Sequence, residues 1–493
     1  MFLFRFLLWQ IPNESAWNTN HFYNFIYEWH RLESKPKTKP RIIIVGSSIA
    51  YYSMDQSDLK KEISKRLGQE VDVEYFSYAG KSPLYFYLFL DELWKLKPDM
   101  VVYPINFIDF RLHRAYILNN HNSLDTVDNS VLIADAVTEG EAPQAKYIFP
   151  WETLSEMWNY LSWDRRAELW IASLFKFYGY KDIYWEPLSS LYNHRFGRNS
   201  SYHGYAGVEI PERVNSLGWT GKDFSFPLTH KIVKEGFWIE VVSEILKKGP
   251  LSLSIRSSDG VIRETINFHS PGWQKVYLTS DFWRERNQDK EQVHVELSQT
   301  WNAYEADGFL KDYHWDEMGV RLTQIHGLDH PKSNQQYLRE ERKEDLRYLG
   351  MDDDTYRGYF SYRLLQDLHL RPGIGYLVEL AQAKKRLNQE SFSPMLHFQY
   401  LQKISNSFRK KEIPLLLINN PENPISLEWY KESKWYKGYL DYLQSMNVGS
   451  VHFVDLKDEL KMQDFSDFHH FTFTGMKKMN SIYVEKILDF FAL

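Results

Sequence analysis

Two stretches far apart in the chain carry side chains suited to acyl chemistry. The first is Arg41 to Ala50, R-I-I-I-V-G-S-S-I-A, in which the β-branched run Ile42 to Val45 stops at Gly46 and delivers Ser47 and Ser48. The second is Asp467 to Gly475, D-F-H-H-F-T-F-T-G, which sets Asp467 three positions before His470. An aspartate so placed can fix a histidine's tautomer and stabilise the imidazolium formed when that histidine takes a serine's proton. The order Ser, Asp, His is also that of α/β-hydrolases, but their G-x-S-x-G elbow is missing, because Ala50 stands where the second glycine would be. Each residue has a plain structural use as well. Ser47 and Ser48 suit a helix N-cap, Asp467 an ordinary loop acid, and His469 or His470 a packed imidazole.

The elements around these stretches predict how they are positioned. Ile42 to Val45 reads as a strand buried on both faces, as in the interior of a parallel sheet, whose C-terminal end is where ligands bind. Gln56 to Leu67 has helical spacing with Gly68 as its stop, and Val71 to Ser77 reads as a second strand. Ser82-Pro83 opens a helix to about Lys97, and Asp99 to Ile105 is a third strand interrupted near its end by Pro104. Strand, helix, strand, helix, strand is the pattern of a parallel sheet. Gly80-Lys81-Ser82 sits where a phosphate loop would, but the glycine such a loop needs earlier is Tyr75, so nucleotide binding is rejected.

Between roughly Tyr205 and His330 the apolar period changes to two. Expected strands are Phe237 to Ile245, Leu251 to Arg256, Val261 to Phe268, Gln274 to Leu278, Val293 to Ser298 and Gly319 to Ile325. Turn residues such as Ser258-Asp259-Gly260 separate them, which predicts an inserted antiparallel β-sandwich. The charged segment Gln335 to Arg371 is helical, and its Asp352-Asp353-Asp354 run reads as a solvated loop rather than a cation site. Buried-strand patterning resumes at Ile413 to Ile418 and Val451 to Leu456, followed by a last helix from about Thr474 to Phe490. Both ends of the chain are therefore expected to build one sheet. The expected divisions are an apolar segment, helix and linker over 1–40, the first part of an α/β domain over 41–200, the sandwich over 205–330, and a helical segment with the second part of the α/β domain over 331–493.

Composition narrows the chemistry. The 493 residues exceed one ordinary core, and with 43% hydrophobic and 25% charged residues the chain is globular. A net charge of −6 without a basic run argues against a nucleic-acid partner. The absence of cysteine excludes disulfides, thiolate metal sites and a cysteine nucleophile. The apolar start, M-F-L-F-R-F-L-L-W-Q-I-P, is shorter than the ~20 residues a membrane span needs. It reads equally as the remnant of a membrane anchor, an interfacial segment or a helix packed on the domain.

With these motifs in order, the chain resembles the SGNH (GDSL-like) hydrolase superfamily. Gly46-Ser47-Ser48-Ile49 is similar to the nucleophile turn, Gly80 to the oxyanion glycine, Asn106 to the oxyanion asparagine, and Asp467 with His470 to the D-x-x-H loop. Two departures stand out: Ser47 replaces the usual acid before the nucleophile, and the asparagine lies in Pro104-Ile105-Asn106-Phe107 rather than G-x-N-D. The resemblance covers about Arg41 to Arg111 and Lys411 to Leu493. It implies a flavodoxin-like three-layer α/β core with Ser48 as nucleophile, His470 as base and Asp467 as its partner. The oxyanion hole would be made by Ser48, Gly80 and Asn106, with no cofactor and no metal. Gly272-Trp273-Gln274-Lys275-Val276 and Gly319-Val320-Arg321-Leu322 further resemble jelly-roll carbohydrate-binding modules. Taken together, the architecture resembles extracytoplasmic polysaccharide O-acyltransferases and the D-alanyl-transfer protein family. The implied function is a serine esterase or O-acyltransferase on an O-acylated glycan, the alternative being a catalytically inactive glycan-binding or scaffold protein of the same fold. The implied partners are a glycan substrate, a membrane reached through the N-terminus and a membrane-bound acyl-donor protein. The implied location is extracytoplasmic, periplasmic or at the cell envelope, with the cytoplasm not excluded.

Overall fold

The computed structural model describes residues 32–77, 82–110, 163–175, 218–285, 291–302, 317–322, 333–344, 346–348, 350–366, 372–394 and 396–491, with residues 29, 155, 158 and 178 standing alone. These fall into two compact units, one holding the described residues from 218 to 341 and the other the rest.

The larger unit is built on a parallel sheet of five strands: β1 (Arg41–Gly46), β2 (Asp72–Ser77), β3 (Met100–Ile105), β4 (Leu415–Asn419) and β5 (Val451–Asp455). Their spatial order is β5-β4-β3-β1-β2, and every neighbouring pair is parallel. This is the doubly wound order that reverses direction between β1 and β3, and the crevice at that reversal is where such sheets bind ligands. Strands β1 to β4 are buried along their whole length, which explains their unbroken apolar runs. Pro104 is tolerated in β3 because the pairing of β1 with β3 ends at Val102, before the proline.

The helices that frame the sheet are α1 (Ser48–Ser53), α2 (Gln56–Leu67), α3 (Pro83–Leu88), α4 (Leu90–Lys95), α5 (Asp353–Gln366), α6 (Leu396–Lys411), α7 (Lys434–Ser445) and α8 (Phe473–Phe490). The single helix expected from Pro83 to Lys97 is two, divided at Phe89. Asp352 caps α5, its carboxylate accepting from the Thr355 backbone N–H at 2.9 Å and hydroxyl at 3.1 Å. That is a helix start, not a cation site.

Among the described residues the smaller unit has three antiparallel sheets. One orders the strands Asp223–Pro227, Gln292–Leu297, Leu251–Arg256 and Ile262–Phe268; the second orders Arg321–Leu322, Phe237–Val241 and Gly272–Val276; the third pairs Trp301–Asn302 with Glu317–Met318. Alternate residues of these strands, such as Leu251, Leu253 and Ile255, enter one shared core with Trp219, Trp283 and Trp301. Phe237 to Ile245 was expected as one strand. It stops at Val241, because Ser243–Leu246 turns into a short helix. Among the described residues no helix is long and apolar enough to cross a membrane. The apolar N-terminal start lies outside the described residues.

Candidate active site

The turn that carries Ser47 and Ser48 follows from Gly46. Its φ of +141° is one that side-chain-bearing residues rarely adopt, and a Cβ there would meet Ala50 Cβ at 3.0 Å and the Pro104 carbonyl at 3.2 Å. The chain can therefore leave β1 sharply and enter α1 at once. Ser47 is the N-cap, with Oγ accepting from the Ile49 N–H at 3.1 Å, so the capping use foreseen for this pair falls to Ser47. Ser48 is the first helical residue and is half-buried.

The loop between β5 and α8 presents the histidine, and it is clamped on both sides. Phe465 and Phe471 form an antiparallel bridge, and the Ser466 N–H donates to the His470 carbonyl at 2.8 Å. Asn423, on the loop after β4, donates through Nδ2 to the Asp467 carbonyl at 2.9 Å. Phe468 is buried edge-on against Phe360 of α5, at 5.3 Å between ring centres. Thr472 caps α8 by accepting from the Gly475 N–H at 3.1 Å, and its own N–H donates to the Asp464 carbonyl at 2.9 Å.

These two elements bring together residues 422 positions apart: His470 Nε2 lies 3.0 Å from Ser48 Oγ. On the other side of the ring, His470 Nδ1 lies 2.7 Å from Asp467 Oδ2. An ionised carboxylate only accepts, so Nδ1 carries the proton and Nε2 is free to accept from the serine hydroxyl. Asp467 Oδ1 accepts the backbone N–H groups of His469 at 2.9 Å and His470 at 2.8 Å. Burial alone would raise the Asp467 pKa, but the two neighbouring imidazoles and these hydrogen bonds outweigh it and hold the carboxyl well below the usual range. The His469 ring leans on His470 at 4.3 Å between centres, and only its backbone N–H reaches Asp467. His470, not His469, therefore stands between acid and serine. Asp467, His469 and His470 also offer one ligand atom each within 4.8 Å of one another. A metal bound through His470 would displace its ring's hydrogen bond to Asp467 or to Ser48.

Asn106 directly follows β3 and is 1% exposed. Its Oδ1 accepts from the Ile108 N–H at 3.1 Å, while Nδ2 is sealed without a partner. A buried amide left unpaired is costly. Gly80, the other expected donor, lies outside the described residues.

Three residues were not singled out by sequence reasoning. Asp109, also buried, accepts from Ser47 Oγ at 2.5 Å and from the Asn106 N–H at 3.0 Å, tying the serine turn to the asparagine turn. Asp109 follows Asn106 by three positions, but nothing in that spacing marks its bond to Ser47. Tyr52, one helical turn beyond Ser48, sets its ring edge-on to His470 at 5.0 Å between centres. Arg342 in turn lies over Tyr52. Nothing in the charged segment around Arg342 distinguishes it in the sequence.

Comparison with known proteins gives the following. A protein-family model matches residues 13–492. An uncharacterized protein of Leptospira interrogans serogroup Icterohaemorrhagiae serovar Lai (strain 56601) is 52% identical over 485 residues, covering 98% of this chain and 91% of its own. Among solved structures, a two-domain esterase active on acetylated mannans, crystallised with mannopentaose, is 11% identical, with 62% of this chain and 95% of that one covered. Its TM-score of 0.13 is too low to carry fold or activity across. Identity sustained over nearly the whole length, by contrast, shows common descent with the Leptospira interrogans protein, and the chain belongs to the family whose model spans residues 13–492.

Proposed function

We propose that this protein is an SGNH-type serine esterase or O-acyltransferase acting on an O-acylated glycan of the cell envelope. The observation that carries the reading is the line from Asp467 through His470 to Ser48, at 2.7 Å and 3.0 Å. Hydrogen-bond reach from base to nucleophile, with a carboxylate orienting the base, is the arrangement acyl transfer requires.

In the proposed mechanism Ser48 Oγ attacks the ester carbonyl as its proton passes to His470 Nε2. The carbonyl oxygen becomes an oxyanion, met by the backbone N–H groups of Ser48 and Gly80 and by the side-chain amide of Asn106. Collapse breaks the ester C–O bond, and the leaving alkoxide takes the proton back from His470. Water or a sugar hydroxyl then gives its proton to His470 and attacks the acyl-serine. The second collapse releases acid or new ester and returns the proton to Ser48. Asp467 stays ionised throughout and stabilises the imidazolium. The antiparallel unit is proposed as a sandwich that holds the glycan chain.

Acetate release from O-acetylated oligosaccharides, together with turnover of an activated acetate ester, tests the reading. The wild-type protein is expected to turn over at least one of them, and Ser48→Ala to lose that activity. Equal rates in the two proteins would overturn the assignment.

A further inference from the structure

Arg342 is 7% exposed, yet no carboxylate among the described residues pairs with it. Its Nη1 donates to the Tyr52 carbonyl at 2.7 Å, and its Cζ lies 5.3 Å from the centre of the Tyr52 ring. Those contacts orient the guanidinium without neutralising it, and a largely buried charge with no counter-charge among the described residues is in an unfavourable state. Its position relates it to the reacting atoms. Tyr52 and Ser48 are four residues apart on α1, hence on one face of that helix. The Tyr52 ring touches His470 at 5.0 Å between centres. The guanidinium therefore stands one aromatic ring away from the imidazole, on the side of the helix that carries the nucleophile. Arginine offers several N–H donors in a planar fork that fits a carboxylate, and among the described residues only its Nη1 is engaged.

We propose that Arg342 is the receptor for a carboxylate on the ester substrate, so that the enzyme selects anionic over neutral esters. The carboxylate belongs either to the acyl group, as in a dicarboxylate half-ester, or to the sugar, as in a uronate. This inference rests on the reading of Ser48 as an ester-cleaving nucleophile. Binding would supply the missing counter-charge close to the scissile bond, and Tyr52 would hold the guanidinium and the imidazole in fixed relation.

The test uses the full-length protein and two matched pairs of esters. The acyl pair is p-nitrophenyl hemisuccinate against p-nitrophenyl pentanoate; the sugar pair is acetylated oligouronate against acetylated xylo-oligosaccharide. A charge-assisted hydrogen bond predicts that wild type favours the anionic member of one pair by about ten- to a hundredfold in kcat/KM. The pair that shows the preference identifies the source of the carboxylate. Arg342→Gln is expected to bring the ratio close to one, and Arg342→Lys to keep part of it. If Arg342 only props Tyr52, both members of a pair slow alike and the ratio stays where it was, which overturns the proposal. A wild-type ratio near one in both pairs also overturns it, without needing a folded variant, and leaves Ser48 esterolysis standing. Failure of a fluorophosphonate to label wild-type Ser48, with no turnover of any ester, would instead remove the underlying reading and this inference with it.

Discussion

At Asp467 the two faces of one carboxylate have separate tasks. One oxygen holds the His470 ring, and the other receives the backbone N–H groups that shape the loop. Asp467→Asn keeps the size but replaces one acceptor by a donor, so the imidazole favours the wrong tautomer. The expected result is a fall in kcat of about a thousand- to ten-thousandfold with little change in KM, measured on any ester the wild type turns over. The sign of the stability effect follows from the depressed carboxyl. Stability contributed by Asp467 is fully present above the unfolded value of about 3.9 and is lost as pH falls toward the lower folded value. Acid unfolding of Asp467→Asn should therefore be less steep than that of wild type. Much of this residue-level site was legible in the sequence, because a serine after a buried strand and a D-x-x-H loop are local patterns. Asp109 was not legible. Its role is set by the approach of two strand ends, and no spacing along the chain encodes that approach.

At the scale of elements, the site is two turns and a clamped loop on one end of a sheet. Asp109 makes the two turns one body, through Ser47 Oγ and the Asn106 N–H. Ser47→Ala and Asp109→Ala should each reduce kcat. Their effects in the double variant should be less than additive, since each removes the same link, and a double-mutant cycle on kcat/KM measures it. The loop depends on Gly475 in the first turn of α8, where a Cβ would come within 2.3 Å of the Asp464 carbonyl. Backbone cannot yield as a flexible side chain can. Gly475→Ala should destabilise the protein by more than about 2 kcal/mol in chemical denaturation, and should slow catalysis by moving His470. Strand identities were legible where burial is two-sided, as in β1 and β4, or strictly alternating, as in Leu251–Arg256. The strand Asp223–Pro227 was missed, since it is short, ends in proline and lies on the edge of its sheet. Helix breaks at Phe89 and at Ser391 to Pro394 interrupt continuous apolar patterns, which periodicity alone does not register.

Over the whole molecule, two units of different periodicity share one chain, and the parallel sheet is assembled from segments separated by about three hundred residues. The sequence carries that discontinuity as a switch from unbroken apolar runs to alternation and back. The switch tells where the second unit lies, but not which strand of the first half β4 will join. Beneath the sheet end, burial pushes the Glu422 pKa up to about 7, while the hydroxyls of Tyr430 and Tyr436 donate to its carboxylate. Its unfolded value is 4.5, so the folded state favours the neutral acid. Stability from this group is fully present below about 4.5 and is lost as pH rises through about 7. Glu422→Gln should flatten that decline, gaining on the order of 3 kcal/mol over wild type between pH 5 and pH 8, as followed by thermal unfolding. The central claim, that Ser48 is an activated nucleophile, is tested most directly by intact-protein mass after treatment with a fluorophosphonate. One adduct on the wild-type protein is predicted, absent from Ser48→Ala and strongly slowed in His470→Ala. An adduct that persists on Ser48→Ala would contradict the account.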